Sequence, residues 1–249
     1  MQKTVIIVPC FNEVNRLSAK SYLQFLDANR AVDLCFVNDG STDGTLDVLS
    51  DMKNKNHSRI HIITIGHNKG KANAVRTGIL EMYAKELYDF FGFWDADLST
   101  PLLEIGSFLD ELTETTSVKI VLGSRVKRLG AEITRKMMRH YFGRIFATWV
   151  SYSLDLPVYD SQCGAKLFKK ELVLNLFETP FVTSWLFDVE LLARLRIHFN
   201  KAEVLGLVKE IPLSKWQDVD GSNLKIKHML MVPFQLIEIS RVYRGQFKK

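Results

Sequence analysis

The feature that most restricts the fold of this chain is an alternation that runs through its first half. Short β-branched or aromatic runs close on polar residues, and each is followed by a stretch with helical spacing. "TVIIVP", "LCFVND", "IHIITIG", "FFGFWD" and "KIVLGSR" are the five runs, and segments of this length and composition read as buried strands. Between them the spacing predicts helices from about Asn15 to Ala28, with Val14, Leu17, Ser21 and Phe25 down one side, from Asp43 to about Lys53, and from about Lys71 to Lys85. Strand and helix in alternation imply an α/β fold with a mostly parallel central sheet flanked by helices on both faces. Ligands of such sheets sit beyond the carboxyl ends of the strands. Asn12, Glu13, Asn38, Asp39, Asn68, Asp95 and Asp97 close the runs and are expected along that one edge.

The second half is less regular. An amphipathic helix is expected from about Thr134 to Leu154, with Arg135 and Arg139 one turn apart and Phe142, Phe146 and Trp149 on a neighbouring stripe. A Leu-rich helix from about Ser184 to Phe199, a strand-like stretch from Glu203 to Leu213 and a final helix from about Asn223 follow. With 249 residues, 47% of them hydrophobic, and no linker or repeat, residues 1–249 are expected to form a single domain.

Charge is informative through its distribution. The formal net charge is only +5, yet Lys119 to Arg144 holds eight Lys or Arg against the single acid Glu132, and Lys225 to the end holds six against Glu238. Such surface suits an anionic substrate or lipid headgroup; no nucleic-acid motif or aromatic platform accompanies it. Cys10, Cys35 and Cys163 are odd in number and widely spaced, which argues against a disulfide framework or zinc site and for a reducing cytoplasm. The first residues, "MQKTVIIVPC", are expected to enter a strand directly, which would leave no room for a signal peptide. The late apolar run from Met229 to Ile239 is too short to span a bilayer and is broken by Pro233, Gln235 and Glu238.

Three motifs carry candidate chemistry. On an extended chain Asp95 and Asp97 would point the same way, giving a hard-oxygen site for Mg2+ or Mn2+. "DADLSTP" equally reads as a turn leading to a helix at Pro101. In "VNDGSTDGT", Asp39 closes a strand, Gly40 permits a tight turn, and Ser41, Thr42 or Asp43 can cap a helix. That is either a well-made strand-to-helix turn or an acceptor for a base or ribose. "HNKGKANAVRTGI" sets lysines at a helix N-terminus, where anions are favoured.

In order, "VPCFNE", "VNDGSTDGT", "NKGKANAVRTGI", "DADLS" and "VLGSR" resemble the family 2 inverting glycosyltransferases, which have the nucleotide-sugar-binding GT-A fold. "DSQCGAKLFKK", "FDVELL" and "WQDVDGSNLK" extend the resemblance over almost the whole chain, toward the dolichyl-phosphate β-glucosyltransferase branch with its polyprenyl-phosphate mannosyltransferase relatives.

The resemblance implies roles for particular residues. Pro9, Glu13 and Asp39 would hold the uridine or guanosine end of a nucleotide-diphosphate sugar, with Lys71 near the base or diphosphate. Asp95 and Asp97 would place Mg2+ or Mn2+ on the diphosphate. Asn38 stands where the family has a second acid, which shifts weight to Asp39. Arg125, Arg135 and Arg139 match acceptor-phosphate positions, where the arginine fork suits phosphate oxygens. Asp160 and Gln162 would line the sugar pocket. Asp188 is a general base for a hydroxyl acceptor or, for an already ionised phosphate, an orienting or charge-balancing group. Cys163 reads as a small buried thiol.

Residues 1–125 would thus bind the nucleotide and residues 126–249 the acceptor, with a C-terminal amphipathic helix. The implied reaction transfers a hexose, with inversion, to polyprenyl phosphate. UDP-glucose is preferred from "DSQCGAKLF", with GDP-mannose open. A sugar hydroxyl of a glycan or lipopolysaccharide precursor is the alternative acceptor, and a non-catalytic nucleotide-sugar-binding protein the alternative class. A lipid acceptor implies peripheral contact at the cytoplasmic face of a membrane, for which the final basic and apolar stretch is suited; the same helix equally fits packing on the domain.

Overall fold

The computed structural model describes residues 2–56, 58–134, 137–219 and 226–249; side chains at 137–141 and 226–230 lie outside that description. Its strands are β1 (Thr4–Cys10), β2 (Val32–Asp39), β3 (Ile60–Ile65), β4 (Phe90–Trp94), β5 (Ile120–Ser124), β6 (Glu132–Thr134), β7 (Ala165–Lys169), β8 (Val208–Pro212) and β9 (Lys215–Gln217). Among the described residues, a seven-stranded sheet runs in the order β3-β2-β1-β4-β7-β5-β8, and β6 pairs with β9 in a second, two-stranded sheet. β7 alone in the large sheet is antiparallel to its neighbours, β4 and β5.

The helices are α1 (Ala19–Ala28), α2 (Thr45–Lys55), α3 (Lys71–Tyr83), α4 (Glu104–Glu114), α5 (Met137–Leu154), α6 (Val173–Phe177), α7 (Phe187–His198), α8 (Lys201–Leu207) and α9 (Ile226–Tyr243). Alternation along the strands sends Val5 and Ile7 of β1 into one core, with α3, α5, α7 and α9, and Ile6 and Val8 into the other, with α1, α2 and α4. Helices therefore cover both faces, and the inner strands β1, β4 and β5 are apolar at nearly every position, as a doubly covered sheet demands.

Several boundaries differ from those the sequence predicts. α1 starts at Ala19, not Asn15, because Ser18 caps it through the Ser21 amide. The residues before it are held elsewhere: the Glu13 and Val14 amides donate to Thr45 and Asp43 side chains. Thr134 belongs to β6 rather than to α5. The strand expected from Glu203 is helical to Leu207, because Asn200 and Glu203 form a reciprocal capping box; only Val208–Pro212 is strand. α4 begins at Glu104, after Pro101. The expected start of the last helix, Asn223, lies outside the described residues.

Candidate active site at the carboxyl edge of the sheet

Hydrogen bonds between successive loops tie the edge together. After β1, Asn12 adopts φ 55°; its amide donates to Ser41 Oγ at 3.0 Å and its Oδ1 accepts from the Thr42 amide at 2.9 Å. After β2, buried Asp39 accepts from the Lys69 amide at 2.9 Å through one oxygen and from the Gly70 amide at 2.8 Å through the other. Gly40 has φ +69°, and a Cβ there would lie 2.6 Å from the Asn68 nitrogen. No other residue type allows the β2 and β3 loops to meet so closely. Asn38 accepts from the Ser41 amide at 3.1 Å, so its amide shapes the turn and can do this without the charge an aspartate would bring.

Pro9 lies in β1, in register with Val37. Glu13 is buried and bonded to Arg16. Burial pushes its carboxyl up to about 7; Arg16 opposes the rise, while the charges of Asp97 and Asp95 add to it. Its Oε2 is buried with no hydrogen-bond partner among the described residues, a polar atom left for a ligand to satisfy.

Of the two local geometries open to "DADLSTP", extended chain or turn, the structure adopts the turn. β4 stops at Trp94, the Leu98 amide returns to the Asp95 carbonyl at 3.3 Å, and Leu98 takes φ 54°. A turn therefore carries Asp95 and Asp97. Asp97 accepts from the Ser99 amide at 3.0 Å, and burial together with the Asp95 charge raises its pKa. Lys71, the first residue of α3, reaches Asp95 Oδ1 at 2.6 Å. Burial alone would lower the Lys71 pKa, but the charges of Asp95 and Asp188 outweigh it and hold the ammonium above its ordinary value.

These residues fit a hard divalent cation. Burial and the neighbouring Asp95 charge disfavour ionisation of Asp97, which a cation would relieve. Among the described residues no group of three or more His, Cys, Asp or Glu could hold an ion alone, so water and ligand phosphates would complete the coordination, as Mg2+ prefers.

β7 closes the site from the other side. The Asp95 amide donates to the Gly164 carbonyl at 3.1 Å. Lys166, 1% exposed, reaches Asp188 Oδ1 and the Cys163 carbonyl, each at 2.6 Å. Asp188, 4% exposed at the start of α7, is thereby charge-balanced in the interior. Cys163 is a buried free thiol whose pKa burial pushes up to about 11, opposite to a nucleophile's need.

Beside this lies a pocket lined by Arg125, Arg144, Tyr159, Asp160, Ser161 and Gln162, among others. Arg125 Nε and Nη2 grip the two Asp160 oxygens, each at 2.7 Å. Burial would lower the Arg125 pKa, and the Asp160 charge more than reverses that. The expected sugar-pocket residues and Arg125 thus share one wall. Arg135 lies outside the described residues, and Arg139 is described only as backbone within α5. Sequence reasoning assigned no role to Arg144, whose guanidinium stacks 3.7 Å from the Tyr159 ring centroid, because it falls off the Arg135–Arg139 spacing. It also missed Gly164 and Lys166; a lysine inside the buried "AKLFK" run was the available signal for the latter.

Known proteins share both sequence and fold with this chain. The sequence profile described as Glycosyl transferase family 2 matches residues 5–177. The dolichyl-phosphate beta-glucosyltransferase of Saccharomyces cerevisiae is 30% identical over 89% of this chain and 69% of its own. Its Drosophila melanogaster counterpart is 32% identical over 88% and 68%. Glucosyl-3-phosphoglycerate synthase from Mycobacterium tuberculosis, crystallised with Mn2+ and UDP-glucose, superimposes with TM-score 0.70 at 16% identity over 100% of this chain and 81% of that one. The last likeness speaks for the fold, and the profile and curated relatives for descent: the chain belongs to glycosyl transferase family 2.

Proposed function

We propose that this protein transfers glucose, with inversion, from UDP-glucose to a polyprenyl phosphate, with Mg2+ or Mn2+ on the donor diphosphate. The observation that carries the reading is the junction of Lys71, Asp95 and Asp97 at the carboxyl edge of the sheet, next to the pocket walled by Arg125 and Asp160. The names of the yeast and fly relatives support the choice of glucose and of a lipid phosphate.

In this reading the first half of the chain holds the donor. Glu13 Oε2 accepts from the nucleoside, and Asp39 and Pro9 shape the nucleoside pocket; Asp39 braces the Lys69–Gly70 amides as it does so. Asp95 and Asp97 would hold the metal, which when bound supplies Lewis-acid stabilisation of the leaving diphosphate. Lys71 keeps its proton and lies where it offsets the same charge. The acceptor phosphate enters beside Arg125 and Arg144, with Arg135 and Arg139 as further candidates, and one of its oxygens attacks the anomeric carbon opposite the leaving group. An ionised phosphate brings no proton to remove. Asp188, already paired with Lys166, then serves as a charge-balancing and positioning residue and not as a base. A membrane-borne acceptor puts the reaction at the cytoplasmic face.

The test is incubation with labelled UDP-glucose or GDP-mannose, undecaprenyl or dolichyl phosphate, and Mn2+ or Mg2+. Label from UDP-glucose should enter the organic phase and be lost with EDTA or in Asp97→Asn. Label in a soluble glycan, hydrolysis alone, or transfer only from GDP-mannose would overturn the reading.

A further inference from the structure

α5 turns two faces outward to different tasks. Gly143, Arg144 and Ala147 line the pocket shared with Arg125 and Asp160. Phe142, Ile145, Trp149 and Tyr152 lie on the other side at successive spacings of three, four and three, one stripe of a helix. All four are exposed, Ile145 at 67% and Tyr152 at 73%. α9 adds Met231, Phe234 and Ile237, with Phe234 71% exposed. The two helices enclose a groove of about 280 Å3 whose lining includes Trp149, Tyr152, Leu236, Ile237, Arg241 and Arg244.

Seven large apolar side chains on two adjacent helices form a patch that water alone does not explain. Its chemistry is graded. Aromatic residues with polar edges, Trp149 and Tyr152, border cations: Arg244 lies over the Tyr152 ring at 5.6 Å from its centroid, and Arg241 shares the groove. From Ile226 to Lys249 the sequence holds Lys227, Arg241, Arg244, Lys248 and Lys249 against Glu238 alone, and α5 holds no acid. Tryptophan and tyrosine favour the headgroup level of a bilayer, and arginines beside an apolar face meet lipid phosphates while their stems cover hydrocarbon. Among the described residues no helix is long and apolar enough to cross a membrane.

We propose that the joined outer faces of α5 and α9 dock in the plane of an anionic lipid bilayer. The surface deepens the lipid-phosphate reading on which it rests. One helix would carry both the bilayer contact and the pocket residue Arg144, so a phosphate at headgroup depth would be presented to the pocket without the lipid leaving the membrane. A second copy of the chain fits less well, because pairing two such faces would bring Arg241 and Arg244 against a like charge.

The experiment is flotation of the full chain with phosphatidylcholine vesicles, with and without phosphatidylglycerol, in the absence of sugar donor. The protein should float with the anionic vesicles and release with salt. Trp149→Ser with Phe234→Ser, and separately Arg241→Glu with Arg244→Glu, should each weaken binding about tenfold or more while leaving the thermal midpoint near the parent value. Turnover of a short, water-soluble isoprenyl phosphate should be unchanged in both variants. Absence of flotation, or flotation indifferent to both pairs of substitutions, overturns the proposal. So does loss, in the same variants, of a dimer seen by sedimentation without vesicles, since a second copy would then cover the face. Failure of the parent protein to glucosylate the soluble isoprenyl phosphate overturns the acceptor reading instead, and flotation still decides the docking.

Discussion

Gly164 faces the Asp95 carboxylate so closely that a Cβ on it would lie 1.8 Å from Asp95 Oδ2 and 2.3 Å from its Cγ, while the Gly164 carbonyl accepts from the Asp95 amide. The residue that leads into the antiparallel strand β7 thus sets where the first acid of the pair can stand. Gly164→Ala should displace Asp95, because two atoms cannot share that space and the peptide behind it is already bonded. We expect a stability loss of about 1–3 kcal/mol, as for other overpacked sites, and Mn2+ affinity at least tenfold weaker. Electron paramagnetic resonance titration of Mn2+ reads the affinity directly, and an unchanged titration would show that Asp95 does not depend on this contact.

Lys71 Nζ lies 2.6 Å from Asp95 and also near the Phe93 and Phe187 rings, 6.0 and 5.8 Å from their centroids. Its side chain is therefore aimed by packing as well as by charge. Lys71→Met keeps the bulk and removes the cation, so kcat/KM for the donor should fall about 100-fold, the scale of losing one stabilising contact to a developing anion. The KM for the acceptor should change little. A comparable rise in both KM values would place Lys71 between the substrates and not on the donor.

Buried Lys166 and Asp188 make a pair whose removal by halves leaves an unpaired interior charge. Asp188→Asn should cost about 3–5 kcal/mol, and Lys166→Met a similar amount, while replacing both by apolar residues should recover most of the loss. Denaturant unfolding measures this cycle. The double variant separates two roles for Asp188: a balancing residue predicts that turnover returns with stability and that the pH-rate profile keeps its shape. A general base predicts a stable but inactive protein.

How much of this was legible in the sequence depends on the distance over which each feature is decided. β1, β2, β4 and β5 are readable because a strand buried on both faces needs an apolar residue at nearly every position, and the polar residues of the carboxyl edge follow from where the strands stop. β7 is not legible as a strand, since Lys166, its second residue, is neutralised by Asp188 from α7, a partner no local pattern reveals. The same holds for Arg125 and Asp160, bonded across 35 positions. For "DAD" the sequence leaves extended chain and turn equally open; the turn closing on Leu98 is accompanied by a bond from the Asp95 amide to the Gly164 carbonyl, a partner distant in the sequence. α8 differs: the Asn200 and Glu203 spacing is a local helix signal that stands in the sequence itself.

Glu13 gives the site a pH signature. Its carboxyl is pushed up to about 7 in the folded protein, chiefly by burial, whereas the unfolded chain releases the proton near 4.5. The folded state therefore binds more protons across this interval. Its stabilising contribution is fully present below pH 4.5, declines as pH rises through the window, and is lost above about 7. The full shift corresponds to roughly 3 kcal/mol at one pKa unit per 1.36 kcal/mol. Glu13→Gln removes the titration, so the variant's stability relative to the parent should rise between pH 5 and pH 7.5 when both are unfolded by urea in EDTA. An equal difference at the two pH values would mean that Glu13 is already ionised in the folded protein, held there by Arg16. The unbonded Oε2 predicts a matching effect on ligand: if it accepts from the nucleoside, the same variant should weaken UDP binding at pH 7.5, measured by calorimetry, by a larger factor than it changes Mn2+ affinity in the absence of nucleotide.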